Sequence, residues 1–167
     1  MAVGSVTLRD GTPIVVRPVD ASDRQLVQEG FQRLSERSRY QRLFRVIERL
    51  RDEELDFFVN VDHDEHEALG ALAEDGQTGL GIARYIRLAP HSPAAEVAIV
   101  VADDAQGKGI GRVLMDALAE RARANGVQRF VAQTGAGNRP FRRLMDRLGR
   151  TRMLAVEGGT IELETTL

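Results

Sequence analysis

The stretch QGKGIG, residues Gln106–Gly111, brings together three glycines and Lys108, which is the single lysine among 23 lysine and arginine residues. An apolar, strand-like run precedes this stretch, and a long helical pattern follows it. Glycine lets the backbone approach a ligand closely because no Cβ stands in the way. A helix that begins in such a loop adds unbonded amides and the positive end of its dipole. We therefore expect this loop to bind a phosphate group.

Two common phosphate-binding loops do not fit these residues. A P-loop requires Ser or Thr directly after its lysine, but Gly109 follows Lys108, and Ala102 stands where the first glycine is needed. A dinucleotide-binding loop requires a third glycine where Arg112 or Leu114 stands. The structural alternative is a strand-to-helix turn that binds no ligand. Three glycines count against it, because each one weakens regular structure by about 0.5–1 kcal/mol relative to alanine. We favour a bound ligand.

Gln106, Gly109 and Gly111 fit the pattern Gln/Arg-x-x-Gly-x-Gly/Ala between a strand and a helix. Together with the amphipathic helix, the strand and the further helix that follow in order, this pattern resembles the GNAT superfamily of N-acetyltransferases. The resemblance implies that the loop wraps the pyrophosphate of acetyl-CoA while the strand before it pairs with the pantetheine arm. The implied acetyl-CoA contacts are Ile99, Val100, Val101, Gln106, Gly107, Lys108, Gly109, Ile110, Gly111, Arg112 and Asn138.

Glu96, in the run AEVAIVV, is the candidate general base. Transfer to an amine requires a neutral nitrogen, and a lysine of pKa about 10.4 is neutral only about once in 2,500 molecules at pH 7. We expect Ala95 and Val97 to shield Glu96 partly from water, which makes a carboxylate a better proton acceptor. In GNAT enzymes a glutamate on this strand commonly deprotonates the amine. A solvent-facing acid in an ion pair is the alternative interpretation.

Met145 departs from the pattern of the family. Many GNAT enzymes carry a tyrosine at this position, seven residues after the asparagine that matches Asn138, and it protonates the leaving CoA thiolate. Methionine has no proton to donate, so we expect solvent to take this role. Asn138 itself fits both the family asparagine near the pantetheine and a helix N-cap, and the two roles are compatible.

His63 and His66 lie among carboxylates in the stretch DHDEHE. A metal site or an entrance for the acceptor is one interpretation, but we expect ordinary loop residues before a strand and no metal. Several arginines crowd the second helical stretch, where we expect a solvated face paired with Glu36 and Glu48. Docking of an acidic partner or of the CoA 3′-phosphate is the alternative for these arginines, and Tyr40 and Phe44 are expected in the core. The arginines are Arg37, Arg39, Arg42, Arg45 and Arg49.

The composition narrows the function classes further. A chain of 167 residues fits one domain, residues 1–167, with a real hydrophobic core. The absence of cysteine excludes disulfides, thiolate zinc sites and cysteine nucleophiles. A net charge of -2 gives no electrostatic case for nucleic acid or membrane binding. Because no signal-like or membrane-spanning run is present, we expect a cytoplasmic protein.

The elements predict an α/β protein of the α+β type, and the resemblance implies a single-domain GNAT fold. A hairpin turning at Asp10-Gly11 is followed by two or three helices, the first capped by Asp20 or Ser22. Three strands in antiparallel order then lead to the loop, a helix over residues 112–125, a strand, a helix capped by Asn138 and a hairpin at Gly158-Gly159. We expect a mixed central sheet of about six or seven strands, flanked by about four or five helices.

These patterns together favour an acetyl-CoA-dependent N-acetyltransferase in which the amine attacks the thioester directly in a ternary complex. The stretches LSERSRYQRLF, VDHDEHEALGALA and AEVAIVVADDAQGKGIG together resemble bacterial GNAT domains that acetylate protein lysines, so a protein lysine is the preferred acceptor. A small amine as acceptor and a non-catalytic acyl-CoA-binding module are the alternatives. The acyl-chain preference is open, and a homodimer is compatible with the sequence.

Overall fold

The computed structural model describes residues 4–43 and 49–167, and for residues 40–43 it describes the backbone only. Within these ranges five α-helices flank one mixed sheet of eight strands. The strands are β1 (Gly4–Thr7), β2 (Pro13–Pro18), β3 (His66–Ala73), β4 (Gly79–Arg87), β5 (Ala94–Val101), β6 (Arg129–Gly135), β7 (Arg150–Glu157) and β8 (Thr160–Thr166). The helices are α1 (Arg24–Gln32), α2 (Glu36–Leu43), α3 (Asp52–Val59), α4 (Ile110–Ala124) and α5 (Arg139–Leu148). The strands lie in the order β1-β2-β3-β4-β5-β6-β8-β7.

The first two strands form the predicted hairpin. Gly11 has a φ of 87°, in the left-handed region that favours glycine, and the Thr12 amide donates to the Asp10 carboxylate over 2.9 Å. Asp20 accepts a hydrogen bond from the Ser22 amide over 2.8 Å, which makes Asp20 the cap of the first helical region. The hairpin therefore extends the sheet at one edge before the chain turns into the helices.

Helices α1 and α3 pack against each other on one face of the sheet, whereas α4 covers the other face. Phe31, Leu55 and Phe58 form the contact between α1 and α3. On the opposite face, the buried Leu114 and Leu118 of α4 pack over β3 and β4 as part of the main core. The alternation of side chains along the strands thus separates two apolar clusters, one under each helical layer.

A buried carboxylate fixes α4 to β3. Glu67 is 0% exposed; it accepts hydrogen bonds from Arg121 Nε over 2.5 Å and from the Ala68 amide over 2.8 Å, and it bonds His63 Nδ1 over 2.8 Å. A buried charge without such partners would be strongly destabilising. These bonds therefore hold the C-terminal half of α4 in place on the sheet.

The strands β5 and β6 form the single parallel pair among the described strands. Their pairing covers Ala94–Glu96 on β5 and Arg129–Val131 on β6 and then stops, although both strands continue. β5 remains paired with β4 as far as Val101, and β6 remains paired with β8 as far as Gly135. The sheet therefore splits between β5 and β6, just beyond Glu96.

The fold class and the order of elements agree with the sequence analysis, with three differences. The sheet has eight strands where about six or seven were expected, because the four-residue β1 also joins it. Helix α4 begins at Ile110, inside the glycine-rich loop, and not at Arg112. The C-terminal hairpin inserts its second strand, β8, between β6 and β7, an order that the sequence did not predict. No helix in the described ranges combines the length and the apolar character needed to cross a membrane.

Gly149 offers a test of the packing between α5 and the end of β8. A Cβ placed on Gly149 would lie 1.8 Å from the carbonyl oxygen of Thr166, so the backbone would have to move. We expect Gly149→Ala to lower the free energy of unfolding by about 1–3 kcal/mol or more, measured by chemical denaturation. Gly30→Ala is the control, because a Cβ at Gly30 meets no atom within 4 Å and alanine favours the helix. Equal stability of Gly149→Ala and the wild type would contradict this packing.

Candidate active site

A groove of about 760 Å³ begins where β5 and β6 separate. Its walls come from β5, the glycine-rich loop, the first turn of α4, the start of α2, the end of β6 and the start of α5. Of the residues singled out from the sequence, those that line the groove are Glu96, Ile99, Val100, Val101, Gln106, Gly107, Gly109, Ile110, Gly111, Arg112 and Asn138. Lys108 is exposed and is not among the lining residues, so only its backbone remains a candidate contact.

The free edge of β5 forms one side of the groove. From Val97 to Val101 the strand pairs with β4 on one side, while its pairing with β6 has already ended at Glu96. A strand edge of this kind presents amide and carbonyl groups to an extended ligand, which can bind as an additional strand. An amide-containing chain such as pantetheine fits this edge.

The glycine-rich loop adopts the backbone that an anion-binding turn requires. Gly107 and Gly109 have φ values of 77° and 92°, which side chains other than glycine rarely accept. Gly109 is the N-cap of α4, so the amides of the first helical turn have no carbonyl partner within the helix. A Cβ on Gly107 or Gly109 would meet no atom within 4 Å, which leaves open space beside the loop. Exposed amides and open space together fit the pyrophosphate of acetyl-CoA.

Gly111 and Gln106 each make a contact within the protein that explains the residue type at that position of the loop. A Cβ on Gly111 would lie 3.3 Å from Leu144 Cδ1 and 3.7 Å from Ile99 Cδ1, so glycine allows close packing of α4 on its neighbours. The Gln106 side chain donates through Nε2 to the carbonyl of Val101 over 3.0 Å. Gln106 thereby ties the loop to the end of β5, which accounts for its place in the pattern.

Two acidic residues before the loop hold the junction of α1 and α2. The Asp103 carboxylate accepts from the Ser35 amide over 3.2 Å, and Arg33 donates to both oxygens of Asp104 over 2.9 and 3.0 Å. Burial alone would raise the pKa of Asp103, but hydrogen bonds from the hydroxyls of Ser35 and Ser38 and from the Ser35 amide outweigh it and lower the pKa. The helices beside the groove are therefore anchored to the loop that is expected to bind phosphate.

Glu96 stands at the point where the two strands part. Its partner on β4 is Ile86, and its last partner on β6 is Val131. The side chain is exposed, so the partial shielding by Ala95 and Val97 that the sequence suggested is absent from this structure. The reason is that both neighbours are buried on the opposite face of the strand, while Glu96 faces the opening. Glu96 is accessible to an acceptor that enters the groove.

Asn138 and Met145 lie on the α5 side. Asn138 caps α5, accepting from the Phe141 amide over 3.3 Å, and its amide nitrogen donates to Thr134 Oγ1 over 3.0 Å. The predicted N-cap is thus confirmed, and Asn138 also lines the groove. Met145 is fully buried in the main core and is not among the lining residues, whereas the apolar Phe141 and Leu144 are.

The two histidines serve the structure around β3. His63 bonds the buried Glu67, and the His66 ring stacks near Phe57, with centroids 5.2 Å apart. Burial, together with the nearby charge of Arg84, lowers the pKa of His66 to about 4. In the described part of the chain no group of three acidic or histidine side chains is arranged to hold a metal ion.

The described arginines of the second helical stretch lie in three different environments. Arg37 is exposed and lines the groove, while Arg39 lies over the ring of Phe31, with its guanidinium carbon 5.1 Å from the ring centre. Arg49 lies in an exposed bend before α3. Phe44, Arg45 and Glu48, and the side chains of Tyr40 and Arg42, fall outside the described residues.

The sequence analysis did not predict the wall that α2 and β6 contribute, apart from the alternative in which Arg37 binds the CoA 3′-phosphate. Ser35, Arg37 and Ser38 enter the groove from α2, and Gln133 and Thr134 enter it from β6. The Ser35 hydroxyl accepts from the Ser38 amide over 3.2 Å, as expected of a helix cap, so the Ser-x-x-Ser spacing marks the start of α2. Nothing in that spacing indicates which strand lies opposite.

Comparisons with known proteins agree with this geometry. Residues 25–149 match the sequence profile of the acetyltransferase (GNAT) family. The chain is 35% identical over 151 residues to acetyltransferase Pat from Mycolicibacterium smegmatis, which covers 86% of this chain and 43% of that protein. It is 34% identical over 145 residues to acetyltransferase PA5475 from Pseudomonas aeruginosa, covering 86% of this chain and 77% of that protein.

A solved structure gives the same result for the fold. The GNAT domain of S. lividans PAT superposes with a TM-score of 0.88 at 28% identity, over 98% of this chain and 96% of that domain. The chain thus spans less than half of the M. smegmatis protein but nearly all of the S. lividans domain. On the matched profile, the sequence identities and the shared fold, the chain belongs to the GNAT family of acetyltransferases.

Proposed function

We propose that this chain transfers the acetyl group of acetyl-CoA to a lysine side chain of a protein. Acetyl-CoA as the acyl donor follows from membership of the family. The observation that carries the proposal is the arrangement along one strand, where a phosphate-type loop follows the free edge of β5 and Glu96 stands at the other end of that edge. A ligand lying along β5 would have its phosphates at the loop and its thioester near Glu96.

The exposure of Glu96 supports a protein acceptor over a small amine. Small ligands are usually held in enclosed pockets that bury about 70–90% of their surface. Glu96 is exposed at the mouth of a groove, which a lysine on the surface of another protein can reach with its extended side chain. The resemblance of the sequence to lysine-modifying bacterial domains points in the same direction.

In the proposed reaction, Glu96 removes a proton from the lysine ammonium, directly or through one water. The neutral nitrogen then attacks the thioester carbonyl carbon and the C–S bond breaks. The nitrogen releases its second proton to solvent as the amide forms, and the departing CoA thiolate takes up a proton from solvent. No cysteine is present in the chain, so a cysteine acyl-enzyme is excluded and direct transfer is the consistent route. Loop residues Gly107–Arg112 would hold the pyrophosphate, and Ile99–Val101 with Asn138 would hold the pantetheine.

A binding module without catalysis is the second candidate, because the α5 wall carries the apolar Phe141 and Leu144 and no side-chain acid at Met145.

The deciding experiment measures CoA thiol release from acetyl-CoA with a proteome freed of small molecules and, separately, with the small-amine fraction. The enzyme adds no thiol to the assay, and Lys108 is its single lysine side chain, so self-acetylation adds little background. We expect release with the protein pool. Release with small amines alone would support the small-amine alternative, and acetyl-CoA binding without any release would support the binding module.

Glu96→Gln tests the proposed base. We expect kcat at pH 7 to fall by about 10²–10⁴-fold, because the amide cannot accept the proton. The difference in kcat between Glu96→Gln and the wild type should narrow as the pH approaches about 10.4, where the lysine acceptor loses its proton without a base. Steady-state kinetics from pH 6 to 10 measure both effects, with the exposed Glu120→Gln on α4 as the matched control. A Glu96→Gln variant with wild-type turnover at every pH would show that another group is the base.

Gly109→Ala tests the phosphate loop. A side chain at a φ of 92° costs about 1–2 kcal/mol, and relief of that strain would turn the amides away from the ligand. We expect the Kd for acetyl-CoA to rise by at least tenfold in calorimetric titration. Gly126→Ala is the matched control, since Gly126 has a φ of 81° at the other end of α4 and also has open space around it. Equal loss of acetyl-CoA affinity in both variants would mean that the loop has no special role in binding.

A further inference from the structure

The face of the sheet that carries Glu96 continues from β5 across β4 to β3. Glu96 pairs with Ile86 of β4, and Ile86 pairs with His66 of β3, so these three side chains form one row on one face. Neighbouring strands lie about 4.8 Å apart, which places His66 about 10 Å from Glu96. Helix α3 reaches this row at Phe57, whose ring centre lies 5.2 Å from that of His66. Phe57 therefore lies about 10–15 Å from the proposed base, on the same face of the sheet.

Two large apolar side chains on this face are more than half exposed. Phe57 is 51% exposed and Leu88 is 56% exposed, although both residue types usually lie in a core. Leu88 directly follows β4, and its amide donates to the carbonyl of Ala94 over 3.0 Å. The strand geometry thus continues through Leu88, which shares the face of Ile86 because side chains alternate. The other large apolar side chains that are exposed in the described ranges lie on β7 and are Met153, Leu154 and Val156.

These exposed and half-buried side chains form one apolar strip, which consists of Phe57, His66, Ile86 and Leu88. None of the four lines the groove, so the strip leads away from the place expected for acetyl-CoA. Burial lowers the pKa of His66 to about 4, so its ring is neutral at pH 7 and the strip carries no charge. Exposed apolar patches of this kind mark surfaces that bind other molecules.

We propose that the apolar strip binds the acceptor protein, in an extended segment with large apolar side chains two and four residues from the lysine that is modified. This inference rests on the proposed function, because the lysine must reach Glu96. In an extended segment, residues two and four positions away face the same side as the lysine and lie about 7 and 13 Å from it. The shorter distance matches Ile86 and Leu88, and the longer one matches Phe57.

The first experiment maps the sequences around modified lysines. Cleavage of a soluble proteome with a glutamate-specific protease gives a peptide library, to which the wild type and acetyl-CoA with a deuterated acetyl group are added. Mass spectrometry then locates the newly acetylated lysines. Each buried methylene is worth about fourfold in affinity, so we expect Leu, Ile, Met and Phe at the second and fourth positions to be enriched at least about threefold over the library.

The second experiment compares Phe57→Ala with the wild type on the best peptide and on the same peptide with serine at the fourth position. We expect KM for the apolar peptide to rise at least about fivefold, because the contact with its side chain is lost. Because Glu96 is untouched, kcat should not change, and KM for the serine peptide should stay the same. Phe57→Leu keeps an apolar side chain and should stay within about twofold of the wild type in KM.

Val156→Ala is the matched control. Val156 is 65% exposed on β7, and its partner Ile161 belongs to the main core, so it lies on the opposite face of the sheet. Its KM for the apolar peptide should equal that of the wild type. Thermal melting confirms that each variant is folded. If Phe57→Ala unfolds, Leu88→Ser replaces it, with the serine of the second peptide moved to the second position.

Several results would overturn the inference. Acetylated lysines without apolar enrichment, or an equal rise in KM for both peptides, would show that the strip does not contact the acceptor. A smaller native mass of Phe57→Ala in light scattering would show that the strip joins copies of this chain. Acetylation of the intact proteome but not of the peptide library would overturn this inference alone, whereas acetylation of neither would overturn the proposed function as well.

Discussion

The separation of β5 from β6 is the constraint on which the site depends. Adjacent parallel strands normally satisfy each other's backbone groups, but here the ladder ends after three residue pairs. β5 keeps its shape because β4 pairs with it along its whole length, and β6 keeps its shape because β8 does the same. The gap can therefore stay open without either strand losing its structure, and unpaired backbone inside the domain becomes available to a ligand. The insertion of β8 next to β6 is in this sense a requirement for the groove.

The loop and the helices of the N-terminal half form one connected unit around that gap. Asp103 and Asp104 follow β5 directly and hold Ser35 and Arg33, at the junction of α1 and α2. The salt bridge between Arg33 and Asp104 is exposed and contributes little by itself. The hydrogen bonds from Ser35 and Ser38 to Asp103 are directional, and they lower the pKa of that carboxyl. A shift in the position of the loop would thus also displace α2, whose first turn lines the groove. On the far side of the sheet, Glu67 and Arg121 hold the other end of α4.

Much of this architecture could be predicted from the sequence, because its signals are local. The hairpin at Asp10-Gly11, the capping by Asp20 and Asn138, and the strand–loop–helix order around Gly109 all depend on residues within a few positions of one another. The family and the fold class followed from that order and were confirmed.

The remaining features depend on contacts between residues far apart in the chain. The α2 wall, the place of β8 and the exposure of Glu96 are set by tertiary packing, for which the sequence has no nearby signal. The shielding expected for Glu96 illustrates the contrast between local signals and tertiary packing. Its neighbours Ala95 and Val97 are buried, as their residue types suggest, but side chains alternate along the strand, so Glu96 points to the other face. The assignment of individual cofactor contacts stays a prediction until acetyl-CoA binding is measured.

Because Glu96 and the glycine-rich loop are carried by the same strand, β5 sets the spacing between them. At about 3.3 Å per residue, the five steps from Glu96 to Val101 measure about 17 Å. An insertion or deletion of one residue in this segment would change that length and would also move Glu96 to the opposite face of the sheet, beneath α4. Turns away from the groove, such as the hairpin at Asp10-Gly11, tolerate changes in length, but this segment of β5 can vary in side chain only, never in residue number.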